Sequence, residues 1–475
     1  MSERREQTTV VVLTALALVC RLVALGQPMR FDESVSWAYY VGRSWETIVG
    51  TYQQPNNHVF YSLLAKLTGA PANYAPWALR LPALIAGVAI TPLTWSVGKR
   101  FADSRSALIA AALSVGSTQL ILYSANARGY SLVVALFLVL LLIADRLVAA
   151  PSMNMWAAFA ACAAFGLYTI PVMLYPLGVV AVWLAMSAGP PRTQGSANRL
   201  ITLAAALACA LAIAGLLYLP IINHDGLDAL FGNRWVTPSR WPVFVKELPR
   251  MFAVTLSTWS SPLPAWSAPV AGVMAIVGLP RLEANKRARL SVAAAIWCTL
   301  LLCATHRVPF IRVWLFLLPL FLLSVSRGVV RVLDLSRAPG KATPVVLATG
   351  LAVAMCVVAL LTRSAERTDD TGAFRSARSV AALLAPRVKH GDRILAPIPA
   401  IGPLLYYTSR VGTDTTLLTV PVETAARVFI VLDTDVGQTL AWAVKEGFID
   451  PAMFSEPTLL ARYPDGEVWE TVRRP

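Results

Sequence analysis

The sequence predicts an α-helical polytopic membrane protein with a long first external loop carrying interfacial helices and a small C-terminal α/β domain. Of 475 residues, 56% are hydrophobic and only 14% charged, and the mean hydropathy is +0.60; a soluble chain carries roughly a quarter charged residues. The apolar residues are gathered into runs close to the ~20 residues that a helix needs to cross hydrocarbon. Between and after those runs lie three segments too polar or too long to be simple connectors.

The runs are 9–26, 77–98, 108–124, 130–150, 200–222, 265–280, 290–305, 310–326 and 344–362. The stretch 155–188 divides near Pro171, which gives about eleven spans. The opening Met1-Ser-Glu-Arg-Arg resembles a signal-peptide n-region, but the first run is long, contains Arg21 and lacks a small-residue cleavage site, so it reads as an uncleaved helix. All six cysteines (Cys20, Cys162, Cys209, Cys298, Cys303, Cys356) fall within apolar runs, as small buried hydrophobes. No Cys-x-x-Cys or Cys/His cluster points to zinc or redox chemistry.

The net charge of +15 is better explained by membrane orientation than by nucleic acid. Short connectors on one side carry Arg4 and Arg5; Lys99, Arg100 and Arg105; Arg146; Arg192 and Arg199; Arg281, Lys286, Arg287 and Arg289; Arg327, Arg331, Arg337 and Lys341. A lysine and arginine excess marks the cytoplasmic side. The amino terminus is then on the inside of the membrane and the carboxyl terminus on the outside.

The first external segment, 27–76, far exceeds an ordinary connection. Within it Trp37, Tyr40, Val41, Trp45 and Ile48 recur at helical spacing, as do Val59, Phe60, Leu63, Leu64 and Leu67. Two short amphipathic helices at the interface fit that pattern. The second segment, 223–262, contains His224, Asp225, Asp228, Arg234, Trp235, Arg240 and Trp241. With these loops, residues 1–362 form the transmembrane domain and 363–475 a separate extracytoplasmic domain. The tail has a soluble α/β pattern: a helix over 374–384, strands over 393–398 and 428–432, and a hairpin of 459–463 and 467–472 around Pro464-Asp465-Gly466. There is no Gly-rich phosphate loop and no internal repeat. His390 reads as a surface residue.

The polar residues at the outer ends of the runs form a constellation. Arg21 and Arg30 bracket the end of the first run, followed by Asp32 and Glu33. Asn56-Asn57-His58 opens the second interfacial helix, Arg80 lies just inside the second run, and Tyr123 to Tyr130 join two runs around Arg128. His306, Arg307 and Arg312 begin another. Ionised carboxylates at the mouth of an apolar stretch must be hydrated, paired or functional. A single arginine near a helix end often only reaches for headgroups. Several at one depth, on the side that disfavours them, call for an anionic group, and guanidinium binds phosphate bidentately.

The order Phe31-Asp32-Glu33-Ser34, Asn56-Asn57-His58-Val59-Phe60-Tyr61-Ser62-Leu63-Leu64, Leu79-Arg80-Leu81-Pro82 and Tyr123-Ser124-x-x-Ala127-Arg128-x-Tyr130 resembles the GT-C superfamily of integral-membrane glycosyltransferases. Within it the chain is most similar to bacterial relatives of protein O-mannosyltransferases and of the lipopolysaccharide aminoarabinose and galacturonic acid transferases. The resemblance covers about residues 21–130 and becomes diffuse beyond. Relatives often carry His-Pro-Pro after the Asn, where this chain has His58-Val59-Phe60.

The resemblance implies a polyprenyl-phosphate sugar donor, a glycan, lipid or protein hydroxyl as acceptor, and Asp32 as general base. Glu33 would orient Asp32 or act on it as a nearby like charge. Arg128 is the first candidate for the donor phosphate, with Arg80, Arg312 and His58 next. Tyr123, Tyr130, Asn57 and His224 are weaker candidates for substrate contact. No cofactor is required on this reading, although a divalent cation could bridge phosphate and carboxylate. Two rivals remain: a flippase or transporter of lipid-linked glycans, which would show charged or broken helices at mid-membrane, and a non-catalytic envelope-assembly subunit on the same fold.

Overall fold

The computed structural model describes residues 3–189, 193–232, 235–279, 286–335 and 344–475, side chains at 286–288 excepted. Of the basic connector residues, Arg192, Arg281, Lys286, Arg287, Arg337 and Lys341 lie outside the described residues or side chains, as does Arg234.

Every apolar run read from the sequence folds as helix. Among the described residues, six helices are long and apolar enough to cross a membrane: Glu3–Leu25, Pro76–Phe101, Tyr130–Ala149, Gln194–Asp225, Ile311–Leu335 and Pro344–Thr362. Ser104–Val115 and Thr118–Ser124 make a further apolar pair, bent by 60°. The remaining runs are shorter helices, Met153–Thr169, Pro171–Ser187, Ser267–Gly278 and Arg289–Thr305.

The bend is where the sequence first shapes the site. Gly116 sits at the break, and a Cβ there would lie 2.3 Å from the Met355 carbonyl oxygen, so a neighbouring helix packs against bare backbone. Breaking a helix frees carbonyls from the i→i−4 ladder. Arg21 takes them up: its Nη1 and Nη2 donate to Val115 O at 3.3 Å and Ser114 O at 3.4 Å, and its Nε to Ser124 Oγ at 3.1 Å. Arg21 is therefore structural. It fixes the short helix whose end carries Tyr123 and the Arg128 turn.

The segment 27–76 folds as Phe31–Ser36, a single π-helical stretch Trp37–Val41, then Trp45–Gly50 and Val59–Gly69. The expected short helices are present, with the first divided in three. The tail forms a four-stranded sheet from β1 (Asp392–Leu395), β2 (Arg427–Asp433), β3 (Thr458–Tyr463) and β4 (Gly466–Val472), in the order β1-β2-β4-β3. β1 and β2 are parallel; β4 pairs antiparallel with β2 and β3. A parallel pair needs a crossover, and helix Ile401–Arg410 lies within it. Central β2 is covered on both faces. Phe429 and Val431 pack with Phe374, Val380 and Leu404, while Val428, Ile430 and Leu432 pack with Ala443, Ile449 and Phe454.

This domain docks on the 27–76 segment through helix Ile401–Arg410. A Cβ on Gly402 would lie 2.8 Å from Phe31 Cα. Tyr406 meets the Trp37 ring edge-on at 4.9 Å and donates its hydroxyl to Tyr74 O at 2.9 Å. In the connecting strap, 365–372, one side chain takes four carbonyls: Arg30 donates to those of Ala365, Glu366, Thr368 and Asp370 at 2.7–3.2 Å.

Candidate active site

Where the strap, the Asp32 helix and the Arg128 turn converge, a cavity of about 430 Å³ opens. Its charged walls are Asp32, Arg128, Arg307 and Arg312, set among Asn56, Tyr52, Tyr130 and apolar residues. A larger cavity of about 560 Å³ lies between helices elsewhere, but Arg327 is the one charged residue on its described walls, so it offers no acid–base chemistry.

Asp32 and Glu33 are adjacent, yet helix geometry sends them to different surroundings. Glu33 is fully buried and forms a bidentate pair with Arg80, its Oε2 taking Arg80 Nε at 3.0 Å. Glu33 also accepts from Arg30 N at 2.9 Å and Ala127 N at 2.8 Å, which ties three chain segments together. Asp32 faces the cavity. Asn56 Nδ2 donates to its Oδ1 at 3.2 Å, and no hydrogen bond reaches its Oδ2 among the described residues. Two guanidinium groups stand close: Arg128 Nη1 is 3.7 Å from Oδ1, and Arg312 Nη2 is 3.5 Å from Oδ2.

Arg128 is steered from behind by His58. Gly129 N donates to His58 Nδ1 at 2.9 Å, and Arg128 Nη2 lies 2.9 Å from His58 Nε2. Burial, then the charges of Arg128 and Arg312, hold the imidazole well below its usual range, so the ring is neutral near pH 7. A neutral ring has one acceptor nitrogen, so it takes a hydrogen bond from Gly129 N or from Arg128 Nη2, not from both at once. Arg128 Nε has no partner among the described residues, so the guanidinium keeps a donor to offer. A guanidinium donor left open at the cavity suits an oxyanion. Arg312 lies against the Phe310 ring at 4.2 Å and donates through Nε to Tyr130 Oη at 3.1 Å.

The residues singled out from sequence divide between the cavity and its scaffold. Asp32, Arg128, Arg312 and Tyr130 meet at the cavity. Arg80, expected on the phosphate, is instead committed to Glu33 and to the carbonyls of Leu25, Gln27 and Pro28. Glu33 accordingly anchors the loop. Asn57 holds the loop backbone through Ile48 O and Thr51 O, both at 2.9 Å, and its neighbour Asn56 is the one that touches Asp32. Tyr123 donates to Asp370 Oδ2 at 2.7 Å behind the cavity wall. His224 is 61% exposed and pairs with Asp225 rather than lining the cavity. Sequence reasoning missed Asp370, which also lies 3.6 Å from Arg312; one polar residue in an aperiodic linker gives no local signal. Among the described residues, no group of three or more His, Cys, Asp or Glu could hold a metal ion.

No protein-family model and no curated protein matches the sequence. Solved structures do match over nearly the whole chain. ArnT from Cupriavidus metallidurans in the apo state superposes with a TM-score of 0.58 at 14% identity, covering 97% of both chains. The same protein bound to undecaprenyl phosphate gives 0.50 at 14% identity, again over 97% of each chain. The oligosaccharyltransferase of Archaeoglobus fulgidus, in complex with Zn and sulfate, gives 0.53 at 12% identity over 95% of this chain and 71% of that one. The chain has a GT-C fold. At such low identity the likeness establishes architecture: a multi-pass helical membrane body followed by a small domain at the C-terminus.

Proposed function

We propose that the chain is a glycosyltransferase that moves a sugar from a polyprenyl-phosphate donor to a hydroxyl of a cell-envelope glycan, lipid or protein. In this proposal the reaction runs at the outer face of the bacterial cytoplasmic membrane. One observation carries the reading: a carboxylate with a hydrogen-bond-free oxygen stands within 4 Å of two guanidinium groups in one cavity. The GT-C fold supports it, since ArnT with that fold is seen bound to undecaprenyl phosphate.

Asp32 Oδ2 takes the proton of the acceptor hydroxyl as its oxygen attacks the anomeric carbon. The bond from that carbon to the phosphate oxygen breaks on the opposite face, the configuration inverts, and the electron pair leaves with the polyprenyl phosphate. Phosphate is already a good leaving group, so cationic side chains suffice to meet its charge. Arg128 and Arg312 supply them, and Arg307 adds a third positive charge to the wall. A divalent cation entering here would face those like charges with Asp32 as its one carboxylate on the wall; the arginines therefore carry the stabilisation.

Purified enzyme given a labelled polyprenyl-phosphate sugar and an envelope extract should release free polyprenyl phosphate. Asp32→Asn should slow this by about 10²–10⁴-fold, the usual worth of a positioned base, while remaining folded and inserted. Turnover of Asp32→Asn at the wild-type rate would remove Asp32 from the base role.

A further inference from the structure

Asp370, in the strap that leads to the α/β domain, shares Arg312 with Asp32. Arg312 Nη1 is 3.6 Å from Asp370 Oδ1 and Arg312 Nη2 is 3.5 Å from Asp32 Oδ2. Committed guanidinium–carboxylate contacts are shorter, about 2.7–2.9 Å, and this chain makes one where Arg105 grips Asp334 at 2.7 and 2.9 Å. Arg312 is therefore suspended between two carboxylates and closed on neither. Asp370 is fixed in the same frame as Asp32. Its carboxylate takes the Tyr123 hydroxyl and its carbonyl takes Arg30 Nη1 at 2.8 Å. The next two carbonyls, of Thr371 and Gly372, accept from Asp32 N at 3.2 Å and Phe31 N at 2.8 Å. Thr371 and Gly372 line the cavity, whereas Asp370 stands behind Arg312.

Two carboxylates at equal range divide one cation's attraction. Without the rear one, the guanidinium can close on Asp32, and a carboxylate gripped in this way is a weaker and more crowded acceptor for the proton. We propose that Asp370 is a positioning residue that holds Arg312 off Asp32, leaving Oδ2 free and the guanidinium turned toward the donor phosphate. This rests on the reading of Asp32 as the base. It also links the C-terminal domain to the chemistry, because the strap that tethers the domain supplies a second carboxylate to the site.

The test is a double-mutant cycle of Asp370→Asn and Arg312→Gln, read as kcat and donor KM. Asp370→Asn should lower kcat about tenfold and move donor KM less than about threefold. In the Arg312→Gln background the same change should alter kcat by less than about twofold, because nothing is left to position. A wild-type kcat for Asp370→Asn, or losses that multiply in the double variant as a merely structural role would make them, overturns the proposal. Should Asp370→Asn fail to accumulate in membranes, Tyr123→Phe removes only the hydroxyl that orients the carboxylate. The same cycle then decides, with a loss of about threefold expected and the same coupling criterion. A wild-type enzyme that releases no polyprenyl phosphate contradicts the transferase reading itself, a different failure from an active wild type matched by Asp370→Asn.

Discussion

Glu33 and Arg80 illustrate how a single residue can be misread when only its depth in the chain is known. A charge just inside an apolar run either binds something or is paired, and the sequence does not show a partner 47 positions away. The structure pairs it. Arg80→Gln would strand the fully buried Glu33 carboxylate, and breaking such a pair costs about 3–5 kcal/mol. The expected result is a clear fall in the melting temperature of detergent-solubilised protein. An Arg80→Gln protein that melts like wild type and loses only donor affinity would return Arg80 to the phosphate. The Asn56-Asn57 pair teaches a related lesson: adjacent side chains in a turn face different ways, and composition cannot say which meets Asp32. Asp32, Tyr130 and Arg312 were legible because each lies at the start of a helical element, and Arg128 because it sits in the turn just before one, where order along the chain translates into position in space.

At the scale of elements, the apolar runs and the sheet of the tail were legible because periodicity is a local property. β2 and the β3–β4 hairpin fall within a residue or two of expectation. Helix Ile401–Arg410 was not expected, and it is the element that docks the domain on the Asp32 helix. Its Gly402 leaves no room, since a Cβ would lie 2.8 Å from Phe31 Cα and 3.0 Å from Phe31 O. Gly402→Val should push the Phe31–Ser36 helix away and lower transfer by about tenfold or more, a displacement of reacting groups by about 1 Å being enough for that. The sheet itself should stay folded, as judged by protease resistance of the tail. Full activity in Gly402→Val would mean that domain docking and site geometry are independent.

Across the whole molecule, the body and the tail answer to different physics. The helical body is held by apolar packing, whereas the α/β domain contains a titrating group. Asp433 is buried at the end of β2. Burial, then the nearby Asp465 and Asp435, push its carboxyl up to about 7. The folded domain thus holds a proton that the unfolded chain, with an ordinary Asp near 3.9, releases. Stability from this group is complete below about pH 4 and is lost as pH rises through about 7. Hydrogen exchange of β2 amides should show weaker protection at pH 7.5 than at pH 5.5 after correction for intrinsic rates, and Asp433→Asn should remove the difference. A pH-independent protection in wild type would mean the carboxyl titrates normally.

The proposed transfer depends on Arg128 and Arg312 holding the donor's phosphate beside Asp32, and binding measures this without any need to know the sugar or the acceptor. Titration of purified protein with undecaprenyl phosphate should give saturable binding, weakened about tenfold or more by Arg128→Gln and again by Arg312→Gln, as loss of a charge-assisted contact to phosphate implies. Arg105→Gln, at an exposed ion pair remote from the cavity, should leave it unchanged. Equal affinity in wild type, Arg128→Gln and Arg312→Gln would contradict a phosphate-binding role for these arginines.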